Sequence, residues 1–225
     1  MKPWYIKDTN FSGRVSDEDM ALFMQVCPHK PYKKGNTIFH SGDPATDLHV
    51  IEMGQVKLVT PTPTGGERIL AILGPNDIFG EAFLSENAHY RVDAVALTDA
   101  ATCPVSRSQF KQMSERAPSF ALTFAEILAQ HLFDCRDQLS SSYAPVKARV
   151  SRTLLEQAER FGEPLGGGWL KLSTQLKHEE LASMITATRV SVSMAIAELR
   201  DEGLVEGTRG EYRLNAEALA QQGEV

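Results

Sequence analysis

A glycine, a glutamate and an arginine near the middle of the chain have types and spacing that could hold a nucleotide. Gly80 lets the backbone approach a ligand closely, and Arg91 can clamp a phosphate through two hydrogen bonds. The carboxylate of Glu81 can accept hydrogen bonds from a sugar diol. If the amides from Glu81 to Phe83 open a short helix, they point toward the same anion. A simpler alternative is that Glu81 and Arg91 form an ion pair, which closes a β-sheet domain that holds no ligand.

A second group of residues, near the C-terminus, has the spacing of a DNA-reading helix pair. Leu181 and Ile185 lie four residues apart on a first short helix, and Thr188 can N-cap a second helix. The second helix carries one apolar stripe that can pack on the first: Val192, Ala195, Ile196 and Leu199. The residues left outward near its start are those that enter a major groove in helix-turn-helix proteins: Arg189, Val190, Ser193 and Met194. Two short amphipathic helices joined by a turn also occur in helical domains that never bind DNA.

The residues that follow this helix pair favour the DNA-binding interpretation. The segment 203–214 contains two short alternating runs around a Thr-Arg-Gly turn, which predicts the hairpin of a winged helix. Thr186 stands in the turn between the helices, where a β-branched residue disfavours positive φ. We therefore expect an ordinary backbone conformation there, or a little stored strain. The candidate DNA contacts are Lys147, Lys177, His178, Thr188, Arg189, Val190, Ser191, Ser193, Met194 and Arg209.

Composition limits the class of protein. The chain has 225 residues, 42% of them hydrophobic, and a formal net charge of −6. From residue 145 onward there are ten Lys and Arg against twelve Asp and Glu, so positive charge for DNA must be concentrated locally and affinity must depend on dimerisation. The N-terminus has no apolar signal region and no run is long enough to span a bilayer, which predicts a cytoplasmic protein that does not enter a membrane.

Cysteine and histidine spacing argues against several kinds of site. Cys27, Cys103 and Cys135 are widely separated, so we expect reduced cysteines rather than a disulfide framework or a closed zinc site. A cupin-like metalloenzyme is a remote alternative, with donors from the predicted strands: His40, His49 and Glu52. Such a metal site would want a His-x-His spacing, which the chain lacks, and the helix-turn-helix would go unexplained. We therefore expect a protein that is not an enzyme and holds no catalytic metal.

Secondary-structure signals change along the chain in a way that predicts an α+β fold. A short helix opens at Ser16 and stops at Cys27. Between residues 31 and 105, short apolar runs alternate with glycine turns, which indicates a β-roll of the jelly-roll type. Helix then returns. We expect an N-terminal β-roll effector domain (1–117), a central helix (118–142) and a C-terminal winged helix-turn-helix domain (143–225).

The central helix has the spacing of a dimer interface. Its apolar residues recur at alternating intervals of four and three, as on a coiled coil: Ala121, Ala125, Leu128, Leu132, Cys135 and Leu139. A second apolar set lies elsewhere on the same helix: Phe120, Phe124, Ile127 and Phe133. We expect the first set to pack on a second copy in a parallel homodimer and the second set to pack on the β-domain. The alternative is a monomer that buries both sets internally.

These parts, in this order, resemble the family of bacterial transcription regulators that includes the cyclic-AMP receptor protein and FNR. The most specific matches are Phe79-Gly80-Glu81 followed by Arg91, and the helix-turn-helix around Thr188-Arg189. The resemblance covers nearly the whole chain. It implies a dimeric DNA-binding regulator whose β-domain binds a small effector and whose central helix transmits that event to two DNA-reading helices. In relatives that bind cyclic AMP, the residues matching Glu81 and Arg91 hold ribose and phosphate.

The ligand site that the resemblance implies departs from the cyclic-AMP pattern. Its residues here are Phe79, Gly80, Glu81, Ala82, Arg91, Val92, Asp134 and Cys135. Val92 stands where cyclic-AMP-binding relatives carry Ser or Thr, and Asp134 and Cys135 replace an adenine-facing Thr-Ser pair. The effector is therefore cyclic AMP bound weakly, another nucleotide-like ligand, or none. With no effector, the abundance of the regulator would control it.

The number and position of the cysteines and histidines limit the other kinds of sensing found in the family. An iron–sulfur cluster of the usual kind needs four cysteine thiolates and the chain has three, so no such cluster is expected. His89 and His131 could be axial haem ligands, although surface or packing roles are the stronger interpretation. Oxidation of Cys135 across the dimer seam is a minor hypothesis.

The recognition helix also departs from relatives that read a TGTGA half-site through an arginine, a glutamate and a second arginine. Arg189 matches the first of these, whereas Val190 and Met194 replace the other two. The chain should therefore read one strongly specified G·C pair with an A/T-tolerant flank. The glycine-rich segment 161–169 is interpreted as a flexible turn. In the family a loop near this position can touch RNA polymerase, which we expect as a partner.

Overall fold

The chain folds into two compact units. The computed structural model describes residues 15–62, 65–141, 143–207 and 210–222. The boundary between the units falls at Phe133/Asp134, inside one continuous helix. The expected α+β fold is confirmed, with a β-sheet domain, a long helix and a helix-turn-helix domain in that order. Among the described residues, no helix combines the length and the apolar character that crossing a membrane requires.

The first unit is a roll of two four-stranded sheets with antiparallel pairing. One sheet has the order β1-β8-β3-β6 and the other the order β2-β7-β4-β5. The strands are β1 (Lys30–Tyr32), β2 (Thr37–Phe39), β3 (Asp47–Met53), β4 (Val56–Pro61), β5 (Glu67–Leu73), β6 (Ile78–Phe79), β7 (Asp93–Ala96) and β8 (Ala100–Ser106). The roll expected from the short apolar runs between residues 31 and 105 is therefore confirmed.

Two short helices and the first part of a long one pack on the roll. They are α1 (Asp17–Val26), α2 (Arg107–Arg116) and α3 (Pro118–Ser141). The predicted start of α1 is confirmed, because the Ser16 side chain accepts a hydrogen bond from the Asp19 amide at 3.1 Å. Side chains from these helices, from the 81–84 segment and from the sheet β1-β8-β3-β6 share one buried core: Phe23, Leu48, Val50, Ile78, Phe83, Cys103, Val105, Met113, Phe120, Phe124 and Ile127.

Two of the three cysteines are joined, so the expectation of reduced cysteines is wrong for this pair. Cys27 directly follows α1, Cys103 lies in β8, and a disulfide links them with their Cα atoms 5.3 Å apart. They are separated by 76 residues in the sequence, and the fold alone brings the end of α1 onto β8. Cys135 is exposed on α3.

The long helix α3 runs unbroken over nearly the predicted range. Three residues of its second apolar set are buried in the roll core: Phe120, Phe124 and Ile127. Phe133 was expected to join them, but it is 55% exposed, so that part of the expectation is wrong. At about 100° per residue, Phe133 lies on the opposite side of the helix from Phe120.

The expected dimer seam forms part of a broader apolar face on α3. Ala125, Leu132 and Cys135 are exposed, and Ala121 and Leu128 are half-buried. The side chain of Leu139 lies outside the described residues. Three further exposed apolar side chains widen the seam: Leu122, Ala129 and Phe133. We call the exposed members Leu122, Ala125, Ala129, Leu132 and Phe133 the α3 apolar face.

The second unit is a winged helix-turn-helix domain that follows the C-terminal end of α3. Its helices are α4 (Val146–Phe161), α5 (His178–Ile185), α6 (Arg189–Asp201) and α7 (Ala216–Gln222). Its four-stranded sheet has the order β11-β12-β10-β9, formed by β9 (Gly162–Gly166), β10 (Trp169–Leu172), β11 (Val205–Glu206) and β12 (Arg213–Asn215). The predicted hairpin is confirmed, with Val205 opposite Leu214.

The glycine-rich segment was expected to be a flexible turn, and this is wrong. Its residues form β9 and the start of β10, which pair antiparallel with Leu170 opposite Pro164. The glycines 166–168 form the tip of this hairpin and all have positive φ, which explains their concentration there. β10 then pairs with β12, so the hairpin extends the sheet of the wing.

Candidate effector cavity and DNA-reading surface

A cavity of about 730 Å³ in the first unit brings together most of the residues predicted to bind an effector. It is lined by Phe39, Leu58, Gly80, Glu81, Ala82, Ser85, Glu86, Asn87, Ala88, His89, Tyr90, Arg91 and Val92. Five predicted ligand residues are among them: Gly80, Glu81, Ala82, Arg91 and Val92. We call this space the effector cavity.

Gly80 makes the sharp turn from β6 into a short 3-10 helix, Glu81–Leu84, on the cavity wall. Its φ is 88°, and a Cβ atom there would lie 2.9 Å from the carbonyl oxygen of Asp47. Glycine fits both the backbone conformation and this close approach. The Phe83 amide donates to the carbonyl of Gly80 at 3.1 Å, so this amide, one of the three expected to meet a ligand, is already bonded within the turn.

An aromatic pair forms one side of the cavity. The rings of Phe39 and Tyr90 are stacked, with centroids 3.6 Å apart and planes 8° apart. The Tyr90 hydroxyl donates to the carbonyl of Asp47 at 2.8 Å, which ties the segment before Arg91 to β3. Burial raises the pKa of Tyr90, so this hydroxyl remains a donor at neutral pH. The Phe39–Tyr90 pair can therefore pack against a flat ring of a ligand while the Tyr90 hydroxyl stays bonded to Asp47.

Phe79 was predicted to contact the ligand, but the structure places it behind the cavity in the roll core. It is 1% exposed and stacks on the ring of His49, with centroids 4.9 Å apart. His49 faces Thr102, whose Oγ1 lies 3.1 Å from Nδ1. Burial lowers the pKa of His49 to about 4, so the ring is neutral in the folded protein. Phe79 is buried because β6 pairs with β3 and directs this side chain into the roll.

Glu81 and Arg91 both line the cavity, and both are exposed. No salt bridge joins them in the part of the chain that the structure describes, which differs from the alternative of an ion-paired, closed roll. Val92, half-buried, places an apolar surface beside Arg91. Sequence reasoning missed the residues between the two charges, Ser85 to His89, although their position between Glu81 and Arg91 could have indicated them.

Asp134 and Cys135, the other two predicted ligand residues, belong to the second unit. They follow the unit boundary on α3, where Asp134 is half-buried and Cys135 exposed.

The three donors of the metalloenzyme alternative have three different partners. His40 Nδ1 lies 3.6 Å from Asp93, His49 faces Thr102, and a Glu52 oxygen lies 2.7 Å from His29 Nδ1. These separate pairings do not form a shared coordination sphere.

The helix-turn-helix expected from the sequence is confirmed, with α5 packed on α6. Leu181 and Ile185 are buried on α5, and the predicted stripe on α6 is buried against them: Val192, Ala195, Ile196 and Leu199. Arg189, Val190 and Met194 are exposed at the start of α6, with Val190 68% and Met194 61% exposed. We call these three residues the reading surface. Two large apolar side chains in solvent beside an arginine suit a surface that a partner covers.

Four other predicted DNA contacts hold the motif together. The Thr188 side chain accepts the Ser191 amide at 3.1 Å and so caps α6. Ser193 donates its hydroxyl to the carbonyl of Arg189 at 2.9 Å, so His178 must donate Nδ1–H to Ser193 across their 2.7 Å contact. Burial, with Arg200 and Arg189 nearby, lowers the pKa of His178.

An acidic residue that the sequence reasoning missed contacts the reading surface. The Oε1 atom of Glu179, in the first turn of α5, lies 3.7 Å from Nε of Arg189, and both side chains are 70% exposed. An exposed pair of this kind contributes about 0–1 kcal/mol, so it orients Arg189 more than it stabilises the fold. The contact depends on how α5 crosses α6, so no local pattern indicated it.

The remaining predicted contacts are spread over the second unit. Lys177 is exposed at the N-cap of α5. Lys147 forms an ion pair with Glu202, the C-cap of α6. This places it about 20 Å along α6 from Arg189, so Lys147 does not join the reading surface. Arg209 lies outside the described residues.

Thr186 takes the strained option of the two expected for the turn. It is the C-cap of α5 in the left-handed conformation, with φ 54° and ψ 53°. Its amide donates to the carbonyl of Ala182, which closes the helix end. The β-branched side chain thus occupies a backbone region that favours glycine.

Comparison with known families and proteins gives the same two-part arrangement. A family model described as cyclic nucleotide-binding domain matches residues 29–117, and one described as Crp-like helix-turn-helix domain matches residues 148–222. The effector cavity lies within the first range and the reading surface within the second.

The chain is similar along most of its length to several characterised regulators. It is 29% identical over 196 residues to a CRP-like cAMP-activated global transcriptional regulator of Mycobacterium tuberculosis, covering 87% of each chain. It is 28% identical over 209 residues to a cyclic AMP receptor protein of Thermus thermophilus, covering 92% of this chain and 93% of that one. In fold it is similar to FixK2 from Bradyrhizobium japonicum, with a TM-score of 0.74 and 22% identity over 89% of this chain and 98% of that one.

Proposed function

Because the chain belongs to the CRP/FNR family of transcription regulators, with a cyclic nucleotide-binding domain and a DNA-binding helix-turn-helix, we propose that it is a homodimeric, effector-controlled reader of a two-fold operator. The exposed reading surface on a buried, capped α6 carries this proposal. A regulator of this kind acts on double-stranded DNA in the cytoplasm.

The three side chains of the reading surface define the operator half-site. Arg189 can donate two hydrogen bonds to O6 and N7 of one guanine, which is worth about 1–3 kcal/mol of discrimination. Val190 and Met194 offer apolar contacts that suit thymine methyl groups. We therefore expect a half-site with one fixed G·C pair and an A/T-tolerant flank. Selection from random double-stranded DNA tests this, and unmodified TGTGA half-sites would contradict it.

The effector cavity is suited to a small anion that carries a flat ring. Arg91 supplies the positive charge, Glu81 can accept from hydroxyls, and the Phe39–Tyr90 pair offers an apolar wall. A cyclic nucleotide has these features. Val92 removes one hydrogen-bond donor beside the phosphate, so cyclic AMP itself should bind weakly.

The test of effector control is fluorescence anisotropy of the selected operator with and without cyclic AMP. A large gain in affinity that is lost in Arg91→Ala supports a working cavity. Arg68→Ala is the matched control, because Arg68 is an exposed arginine on β5 of the same roll. Equal operator binding with and without cyclic AMP would contradict control of the protein by cyclic AMP. If other cyclic nucleotides also left operator binding unchanged, this would indicate that the abundance of the regulator controls its activity.

The homodimer rests on the α3 apolar face. Leu132 is 53% and Leu122 64% exposed on the same helix, which is a large apolar exposure unless a second copy covers it. Sedimentation velocity of Leu132→Glu should show a shift from dimer to monomer. Leu165→Glu is the matched control, because Leu165 is a leucine that is 50% exposed on β9 of the other unit. An unchanged dimer in Leu132→Glu would place the interface elsewhere.

Contact with RNA polymerase belongs to the same proposal. The β9–β10 hairpin offers the exposed Leu165 beside a glycine tip. Leu165→Glu should then reduce transcription activation in a purified system while operator affinity stays unchanged. Unaltered transcription at saturating occupancy would exclude this hairpin as the contact.

A further inference from the structure

The first unit contains a second cluster of reactive side chains, formed by the cysteine pair and two ionisable neighbours. Oε1 of Glu52 lies 4.0 Å from Sγ of Cys27, and Oε2 of Glu52 lies 2.7 Å from Nδ1 of His29. We propose that Cys27 and Cys103 form a reversible thiol–disulfide site, oxidised by peroxides, that fixes α1 to the roll when oxidised and leaves it held by noncovalent contacts alone when reduced.

The two cysteines differ in solvent exposure, which determines which sulfur reacts first with an external reagent. Cys103 is 0% exposed in β8, where it lies opposite Val50, whereas Cys27 is half-buried at the end of α1. An external oxidant or thiol can therefore reach Cys27 and not Cys103. Their Cα separation of 5.3 Å is within the range that a disulfide spans, so Cys103 can act as the internal partner without backbone movement.

Glu52 favours the reduced form of the site. A disulfide has no S–H to donate, whereas the Cys27 thiol can donate to the carboxylate of Glu52. His29 holds the second oxygen of that carboxylate and so keeps the first directed at the sulfur. Because the bond exists in the dithiol alone, it makes the disulfide easier to reduce.

The disulfide controls an element that packs on α3. Phe23 of α1 stacks on Phe120 of α3, with centroids 6.1 Å apart. The Ser119 hydroxyl donates to a carboxylate oxygen of Asp19 at 2.5 Å. Oxidation therefore ties β8, through α1, to the start of the helix that leads into the DNA-binding unit. Reduction leaves α1 held by these noncovalent contacts.

The oxidation balances with one peroxide for each pair. The Cys27 thiol passes its proton to the Glu52 carboxylate as its sulfur attacks a peroxide oxygen. An S–O bond forms, the O–O bond breaks, and the released hydroxide takes that proton to become water. The Cys103 sulfur then attacks the Cys27 sulfur, an S–S bond forms, and a second water leaves. Each sulfur loses one electron, and the peroxide takes both. In reduction, an external dithiol attacks Cys27 and returns both thiols.

Thiol counting on the full chain tests the site. The protein is reduced without oxygen, treated with one equivalent of hydrogen peroxide, denatured, alkylated and mapped by mass spectrometry. Alkylated cysteines should fall from three to one, with Cys27 and Cys103 in one cross-linked peptide, and return to three after a dithiol. Cys135→Ser should still form the cross-link, and Cys27→Ser should not. Persistence of all thiols, or oxidation at Cys135 alone, would overturn the proposal.

Two further measurements separate a functional pair from a structural one. Hydrogen exchange in residues 17–26 should accelerate on reduction; unchanged protection would show that the bond does not hold α1. Glu52→Gln should shift the equilibrium with glutathione toward the disulfide by about three- to tenfold, because the neutral amide oxygen accepts more weakly from the thiol than the carboxylate does. Glu67→Gln, at an exposed carboxylate on β5, is the control. An unshifted equilibrium in Glu52→Gln would exclude the role of this carboxylate.

Discussion

The two units prepare their functional surfaces in different ways. On the reading surface, Thr188 and Ser193 fix the first turns of α6 before any DNA is present, and a Glu179 oxygen lies 3.7 Å from Arg189. In the effector cavity, Glu81 and Arg91 stand exposed on one wall without joining each other. The DNA-reading unit is therefore preorganised by local contacts, whereas the cavity has charges that a ligand would bridge. This arrangement suits a DNA-binding surface that keeps one conformation and an effector site that changes when a ligand binds.

The units also contain ionisable groups whose pKa values shift in opposite directions. The roll buries His49, whose pKa falls from 6.5 to about 4 through desolvation. The DNA-binding unit has Glu156 on α4, whose pKa rises from 4.5 to about 7, chiefly by burial. Arg152 and Arg160 oppose that rise, and Asp134 and Glu159 add to it. The two units should therefore respond to acid in opposite directions.

The largest expected effect tests whether the two units are independent. Ile196 is 0% exposed between α5 and α6, and Ile78 is 1% exposed in the roll. Ile196→Ala should destabilise the second unit by about 2–5 kcal/mol, and Ile78→Ala should cost the roll a similar amount. Denaturant-dependent hydrogen exchange, read peptide by peptide, reports each unit separately. Equal loss in both units from either change would show one cooperative fold instead of two.

The second largest effect should be that lowering the pH changes the stability of the two units in opposite directions. His49 binds a proton more readily in the unfolded chain, so the stability of the roll falls as pH drops from 6.5 toward 4. Glu156 binds a proton more readily in the folded chain, so the stability of its unit falls as pH rises from 4.5 toward 7. Each pKa difference corresponds to at most about 3 kcal/mol.

Unit-resolved unfolding between pH 4 and 8 measures this opposition. Glu156→Gln should flatten the dependence of the second unit while that of the roll stays, so the roll serves as an internal control. Parallel slopes in the two units would contradict the assignment of these groups.

How much the sequence predicted follows the same division between the units. The helix pair depends on residues three and four positions apart, so Leu181, Thr188 and Val192 were enough to place its helices and its cap. The cavity depends on strands that meet from distant parts of the chain. Gly80 and Arg91 were identified because they form a local motif, whereas Phe39 and Leu58 carry no signal of their own.

Pairwise contacts were predicted least well. The Cys27–Cys103 disulfide joins residues 76 positions apart, and the Glu179–Arg189 contact depends on how α5 crosses α6. Phe133 was placed on the wrong side of α3 because it was grouped by hydrophobicity alone. Its angular position on the helix would have corrected this, since about 100° per residue separates it from Phe120. Local periodicity is thus a stronger guide than residue type.

On the DNA side, two basic residues should separate specificity from general affinity. Arg189→Ala should lose about 1–3 kcal/mol per half-site on the selected operator and little on unrelated DNA, because a guanine contact is removed. Lys177→Ala should weaken binding to every sequence and reduce the salt dependence by about one phosphate contact per protomer. Anisotropy titrations at several salt concentrations distinguish the two. An equal loss from Arg189→Ala on both DNAs would assign this arginine to the phosphate backbone.

The smallest expected effect comes from Thr186, which is compared here with Gly80. Each has a left-handed backbone conformation, and each lies in a different unit. Thr186 holds φ 54° with a β-branched side chain, so Thr186→Gly should relieve strain and stabilise the second unit by about 0.5–1 kcal/mol after the entropy of glycine is counted. Gly80 holds φ 88° with Asp47 in the way of a Cβ, so Gly80→Ala should destabilise the roll by about 1–3 kcal/mol and deform the cavity wall. Thermal unfolding of both variants gives the signs. If Thr186→Gly were destabilising, the threonine side chain would have to supply contacts that outweigh its backbone strain, and the preorganisation of the DNA-reading unit would extend into the turn itself.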